Sequence, residues 1–416
     1  MLLRSLVLEY QLYAYFASMQ FKDVIGQNTL KKELSELMHE NRLPHAMIFL
    51  GKEGCGALPL ALAFAQYLVC EKMNKAQTDT PSLFGGTIPV EEVKLADACG
   101  TCSACLKAAH LAHADIHFSY PVVPKKSGTP PISTDYISEW RDFIKGYPYG
   151  NVYDWLQFIG AENKQGNITA NECNDITRKL TLKSFEGGYK VLVMWMPEYL
   201  GNEGNKLLKL IEEPPANTVF ILVSENESMV LPTILSRCQL VKLPPLSDEE
   251  IKEGLMIRAK TEEPIAQKVA VISDGNYREA LQVLMHAAED WQNYLRSWLN
   301  SILKSGPVAQ TKWVDEMTQN GREGQKQFLK YFNHLLQLAL RLRVIPEQAD
   351  QFPEKEKDFA LRLNKITGIE QQQAIAEELD RAAYYIERNA NGKILFMALT
   401  IKLYHIIQDK VVLLND

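Results

Sequence analysis

The stretch that most limits what this chain can fold into runs from Leu43 to Cys70, LPHAMIFLGKEGCGALPLALAFAQYLVC. An apolar run of strand length (Ala46 to Leu50) meets a glycine-rich turn (Gly51, Gly54, Gly56), and an apolar segment of helical length follows (Leu60 to Val69). Strand, turn and helix in this order frame a phosphate-binding loop, GxxxxGK[ST]. Its glycines let backbone N–H groups curl around a phosphate, its Lys meets the β and γ phosphates, and its hydroxyl ligates Mg²⁺. Here Gly51 and Gly56 keep the spacing, but Ala57 stands in the Lys position and Leu58 in the Ser/Thr position, with Pro59 next. A methyl and an isobutyl group supply neither a cation nor a metal ligand. Taken alone, the turn is also compatible, less well, with any glycine-rich strand-to-helix junction.

A second stretch repeats the pattern of a kept frame and missing chemistry. KVLVMW (Lys190 to Trp195) is a nearly continuous apolar run, as expected of a parallel strand buried on both faces. In a nucleoside triphosphatase such a strand leads into an acidic pair, one carboxylate for Mg²⁺ and one for the attacking water. Here it leads into Trp195 and Met196. Glu198 lies two positions late and would need a register shift to act as the base. With both positions altered, the chain is expected not to hydrolyse ATP. Nor does the sequence place paired carboxylates at a strand end for two-metal nucleotidyl transfer.

The seven cysteines are an odd number, and three form CGTCSAC (Cys99, Cys102, Cys105). CxxC steps on a tight turn bring thiolates within reach of one ion, and structural Zn²⁺ takes four ligands. Cys70, at the end of its helix, is the expected fourth ligand, with His110 or His113 as the alternative. This usage suits a reducing compartment, here expected to be the cytoplasm, better than a disulfide framework. Cys55, Cys173 and Cys238 are expected to be lone thiols. A formal net charge of -6 argues against a general polyanion binder. No apolar run reaches the roughly 20 residues that span a bilayer. Residues 1–18 are apolar, but Glu9 interrupts them and no A-x-A cleavage site follows, so they are expected to be an extension without structural role.

Leu30, Leu34, Leu37 and Met38 recur at helical spacing ahead of the glycine turn. Glu71 to Asp97 reads as an insertion, and Ser119 to Gly166 as a loop-rich region containing Trp140 and Trp155. Thr169 to Glu172 and Ser247 to Glu250 fit capping boxes. Beyond Trp291 the pattern is helical, with one apolar stripe through Phe328, Phe332, Leu335, Leu336, Ala339 and Leu342. Another runs through Ile394, Met397, Ala398, Ile401 and Tyr404. A polar connection, Pro346 to Lys357, separates them.

NKLLKLIEEPP (Asn205 to Pro215), TVFILVS (Thr218 to Ser224) and TILSRC (Thr233 to Cys238) together closely resemble the clamp-loader branch of the AAA+ superfamily. The CxxCxxC module resembles the zinc module of its bacterial members, and the likeness covers about residues 19–290. It implies an α/β fold: an AAA+ P-loop-type parallel sheet with a helical lid, followed by an all-α collar domain. The expected boundaries are 19–245 for the AAA+ domain with its zinc module at about 70–105, 246–290 for a lid of about three helices, and 291–416 for an oligomerising collar. Arg237 matches the SRC arginine, which in this family reaches the ATP of a neighbouring subunit as an arginine finger in trans. A local salt bridge is the alternative for it. Arg278, in GNYREAL, matches the sensor-2 arginine and is expected either to be vestigial or to pair with a lid carboxylate. The glycine turn still permits weak nucleotide binding without turnover.

The resemblance further implies a hetero-oligomer. Its partners are clamp-loader ATPase subunits (γ/τ) and a δ subunit, and through the complex the sliding clamp and primed DNA of a DNA polymerase III holoenzyme, with no membrane. The competing expectations are an atypical γ/τ-type ATPase motor and a zinc-dependent DNA-binding module that works alone.

Overall fold

Five strands, β1 (Ala46–Leu50), β2 (Ile116–Ser119), β3 (Lys190–Trp195), β4 (Thr218–Ser224) and β5 (Gln239–Lys242), form one all-parallel sheet in the computed structural model. Their order is β2-β3-β4-β1-β5. The structure describes residues 20–78, 97–125, 128–161, 164–285, 291–344, 354–387 and 390–410. The extension expected at 1–18, most of the insertion expected at 71–97, the end of the lid at 286–290 and most of the connection at 346–357 lie outside them.

Every residue of β3 and β4 is buried, which is why these strands read as continuous apolar runs rather than alternating ones. Their side chains alternate between two cores. Val191, Val193, Trp195, Val219, Ile221 and Val223 join one, while Leu192, Met194, Phe220 and Leu222 join the other. β1 lies between β4 and β5, so the glycine turn opens at the carboxyl end of a central strand, where open parallel sheets hold their ligands.

Around the sheet lie α1 (Asn28–His39), α2 (Ala57–Val69), α3 (Glu71–Thr78), α4 (Ser103–Ala109), α5 (Ile137–Gly146), α6 (Val152–Phe158), α7 (Ala170–Thr181), α8 (Leu208–Glu212), α9 (Pro232–Leu235), α10 (Asp248–Arg258), α11 (Glu263–Ile272) and α12 (Tyr277–Met285). All 13 residues of α2 are buried. It begins at Ala57 rather than Leu60, because Pro59 falls in the first turn, where its missing N–H costs nothing.

Two sequence expectations need amending here. Residues 119–166 are loop-rich, as expected, but also contain α5 and α6, which bring Trp140 and Trp155 into the core with ring centroids 5.3 Å apart. Each helix is too short for a long periodic signal, and Tyr147 to Gly150 breaks them apart. At Thr169 only half the capping box forms. Its side chain accepts from Glu172 N at 3.3 Å, but the Glu172 carboxylate accepts from Ser133 N at 2.7 Å instead of turning back. The box at Ser247 and Glu250 closes in both directions, at 2.8 and 3.3 Å.

The chain divides into two compact units, Met1–Leu281 and Gln282–Asp416. Besides the end of α12, the second contains α13 (Trp291–Asn300), α14 (Pro307–Thr318), α15 (Gly321–Val344), α16 (Glu354–Ile366), α17 (Ile369–Glu387) and α18 (Gly392–Gln408). Its core is built on Trp298 stacked on Trp313 at 4.6 Å and on the stripe from Phe328 to Leu342, which is buried. The stripe on α18 instead faces outward, with Ile394 70% and Ile401 48% exposed, while Phe396, Leu399, Leu403 and Ile406 face inward. Both faces of α18 are apolar, so periodicity alone does not say which one the core takes.

Candidate functional site

The glycine turn is closed over by the chain's own side chains. Gly54 and Gly56 have positive φ, +73° and +91°, which only glycine adopts without strain. A Cβ on Gly54 would lie 1.8 Å from Asn276 Oδ1, and one on Gly56 would lie 3.3 Å from Tyr149 Cε1. Glycines of the kind that let a phosphate approach a backbone here let Asn276 and Tyr149 approach it. The Gly54 carbonyl accepts from Tyr277 N at 3.2 Å, which ties the start of α12 to the turn. Ala57 and Leu58 are buried within the first core.

Glu53, inside the turn, is an acceptor for three donors: Asn151 Nδ2 at 2.8 Å, Asn276 Nδ2 at 3.2 Å and Arg278 Nη1 at 3.3 Å. Arg278, with a side chain only 4% exposed, also forks onto Asp154, Nε to Oδ2 at 2.5 Å and Nη2 to Oδ1 at 2.6 Å. The carboxylates that Arg278 pairs with among the described contacts belong to the turn and to α6. The reason is local: Asn151 and Asp154 form a reciprocal capping box, both bonds 3.0 Å, which fixes the Asp154 carboxylate at the first turn of α6.

At the end of β3, Trp195 packs against Trp140 at 5.3 Å and Phe143 at 6.1 Å, an aromatic cluster where an acidic pair would need water and metal. Glu198 is engaged elsewhere. Its Oε1 accepts from the Ser224 hydroxyl at 2.6 Å and from Glu225 N and Asn226 N at 2.8 and 3.0 Å, so it serves the loop after β4.

Cys70, Cys99, Cys102 and Cys105 place their sulfur atoms within 4.8 Å of one another, and Cys99 Sγ lies 3.9 Å from Cys105 Sγ. Thiolates on tetrahedral zinc, with Zn–S near 2.3 Å, lie about 3.8 Å apart, so the cluster fits an ion of that size. Backbone N–H groups of Cys99, Cys102 and Cys105 point at sulfurs at 3.3 to 3.4 Å. The Cys105 thiol donates to Cys70 and pulls it down to about 4, while the same bond pushes Cys105 up. His113, the alternative ligand, instead places Nε2 3.3 Å from Glu186, and neither it nor His110 joins the cluster. Asp97, just before the cluster, accepts from Phe21 N and Lys22 N, both at 3.0 Å, and so ties residues 21–22 to the cysteine loop.

Arg237 follows α9 at the surface, 32% exposed, with Nε and Nη2 each 2.5 Å from Glu212 Oε1 and Nη1 donating to Thr233 O at 2.8 Å. The local ion pair weighed from the sequence is present. Pairs this exposed contribute only about 0–1 kcal/mol, so a phosphate can compete for the guanidinium. Beside it, burial pushes the Cys238 thiol up to about 11, which keeps it a protonated packing group.

Residues 26–247, more than half of the chain, match the family described as DNA polymerase III, delta subunit. The chain belongs to this family. Its architecture, an α/β domain on an all-parallel sheet followed by a helical C-terminal domain, is the one expected of that family. The chain is similar to DNA polymerase III subunit tau of Bacillus subtilis (strain 168), at 25% identity over 305 residues, 72% of this chain and 43% of that protein. Subunit delta' of the same organism is 25% identical over 230 residues, 55% of this chain and 51% of that protein. The matches thus span about half the length of these curated relatives or less. A solved DNA polymerase III gamma subunit-related protein of Thermotoga maritima covers 89% of this chain and 98% of its own at 15% identity, with a TM-score of 0.34.

Sequence reasoning did not single out Glu53, Tyr149, Asn151, Asp154 or Asn276. The N-x-x-D spacing of Asn151 and Asp154 after Pro148-Tyr149-Gly150 was the available signal for α6. Nothing local marks Glu53 or Asn276 as partners of residues more than 90 positions away.

Proposed function

We propose that this family member is a δ′-type subunit of a bacterial replicative clamp loader, one that does not hydrolyse ATP. It presents Arg237 to ATP held by an adjacent γ/τ-type ATPase subunit while the assembly, with a δ subunit, loads the sliding clamp onto primed DNA in the cytoplasm. One observation carries the reading. The glycine turn has Ala57 and Leu58 where a Lys and a hydroxyl are needed, while a guanidinium stands at the surface, its charge paired with the exposed Glu212 and its Nη1 donating to Thr233 O and Ser236 Oγ. A guanidinium keeps its charge and forks onto phosphate oxygens, and a finger supplied in trans is worth roughly 10³–10⁵ in rate in related phosphoryl transfers. The aromatic packing of Trp195 and the engagement of Glu198 leave the acids of hydrolysis without a place, which supports the same reading. The outward apolar face of α18 suits a helix that packs against other subunits. The four cysteines suit structural Zn²⁺, because four protein thiolates leave no open position for a reacting water.

The reconstituted loader with Arg237→Ala tests this. DNA-stimulated ATP turnover is expected to fall by at least about 10³ while the complex still assembles; unchanged turnover refutes the assignment. The likeness to subunit tau favours one other reading, a γ/τ-type motor. Mg²⁺-dependent turnover of ATP by the isolated chain would favour that motor over the stator.

A further inference from the structure

The loop and helix start at residues 147–154 lie against the glycine turn, and they take the Arg278 guanidinium, a group that a phosphate there would take. Tyr149 packs against Gly56, accepts from Ile25 N through its hydroxyl at 2.9 Å and meets the Tyr277 ring edge-on at 4.9 Å. It thereby joins the turn, the segment before α1 and α12. Three residues from Asn151, whose amide holds Glu53 in place, the Asp154 carboxylate takes two prongs of the Arg278 guanidinium and Glu53 takes the third. Two carboxylate oxygens set at this spacing present a guanidinium with the same planar, bidentate acceptor that a phosphate presents.

We propose that residues 147–154 are a built-in occupant of the crevice at the glycine turn, with Asp154 and Glu53 holding Arg278 as a phosphate would, so that helices α10–α12 are fastened to the turn with no nucleotide present. This rests on the non-hydrolysing reading above and extends it: the chain has not merely lost its grip on a nucleotide but has filled the place with its own side chains. An added polyphosphate would meet two carboxylates rather than a free guanidinium. Tyr149 would also have to leave the backbone N–H of Ile25 and the face of Gly56. The position of α10–α12 is then a constant of this chain, suited to a subunit that stays rigid while its neighbours respond to nucleotide.

Hydrogen exchange of the full chain, with and without millimolar Mg·ATP, tests the proposal, with phosphate release measured on the same samples. Amides of residues 248–285 are expected to exchange slowly and equally in both conditions. Asp154→Asn is expected to speed their exchange by about tenfold or more, the factor that goes with losing a charged hydrogen-bonded contact, while amides of β1 and β4 stay protected. Should that variant not fold, Arg278→Lys keeps the charge but loses the fork and is expected to show the same localised loss. If either folded variant leaves residues 248–285 as protected as before, the built-in occupant is refuted while the non-hydrolysing reading stands. If Mg·ATP slows exchange of these residues in the unaltered chain, the occupant is likewise refuted. Phosphate release from the unaltered chain would overturn the non-hydrolysing reading itself.

Discussion

Introducing an acid at the end of β3, Trp195→Asp, measures how tightly that position is built into the core. Trp195 is 2% exposed and sits against Trp140, Phe143 and the rest of the first core. Truncating a buried Trp costs about 3–5 kcal/mol through lost transfer and the cavity left behind. The new carboxylate would face aromatic rings rather than donors, which adds about 1–3 kcal/mol for an unsatisfied polar group. The sum, about 4–8 kcal/mol, is a large share of the roughly 5–15 kcal/mol that holds a domain folded. Urea unfolding followed by far-ultraviolet circular dichroism reads it directly. With a slope of about 3 kcal/mol per molar, the midpoint should fall by at least about 1.3 M. Burial raises the pKa of an unpaired carboxyl, so the folded variant binds protons more readily than the unfolded chain, and the deficit should shrink as pH drops from neutrality. Trp195→Phe, which keeps a ring in the cluster, should lose far less. A midpoint for Trp195→Asp within about 0.3 M of the unaltered protein would refute the reasoning, because it would mean that a hydrated, open position survives at the end of β3.

Two further outcomes follow from other parts of the chain. The purified protein should hold one zinc ion, and Cys70→Ser or Cys105→Ser should remove it, as metal analysis would show. Chelation should also speed exchange at the Phe21 and Lys22 amides, since Asp97 holds them only while the cysteine loop is in place. On β2, burial lowers His117 to about 4. Between its unfolded pKa near 6.5 and that value the unfolded chain binds the proton and the folded one does not, so stability falls as pH drops through this window. The contribution lost by pH 4 is about 3 kcal/mol. Denaturation midpoints of His117→Gln should therefore depend less on pH between 7 and 4; parallel curves for the two proteins would contradict the assignment.

The parts of the fold that could be read in advance are those whose cause is local. The run from Ala46 to Leu50, the glycines of the turn and the Ser247 cap each act through neighbours in sequence, and all take the expected form. Cys70 was legible because ligand chemistry restricts the candidates, and the structure brings it to the other three thiols. Arg278 was placed but its partners were not, because Glu53 and Asp154 stand 225 and 124 positions away along the chain. The helices α5 and α6 were missed since neither is long enough to establish a period. The α18 stripe was seen but could not be oriented, because the helix carries apolar residues on both sides.

One consequence belongs to α2, the helix with no surface of its own. Its first residue is the one that a nucleotide-binding protein would spend on gripping phosphate, and here that residue is simply another tile in the interior. The junction between sheet and helix is thus closed by hydrocarbon, with Ala57 and Leu58 packed into the same interior as β1. A lysine placed at position 57 would have to carry its ammonium out of a buried, closely packed first turn.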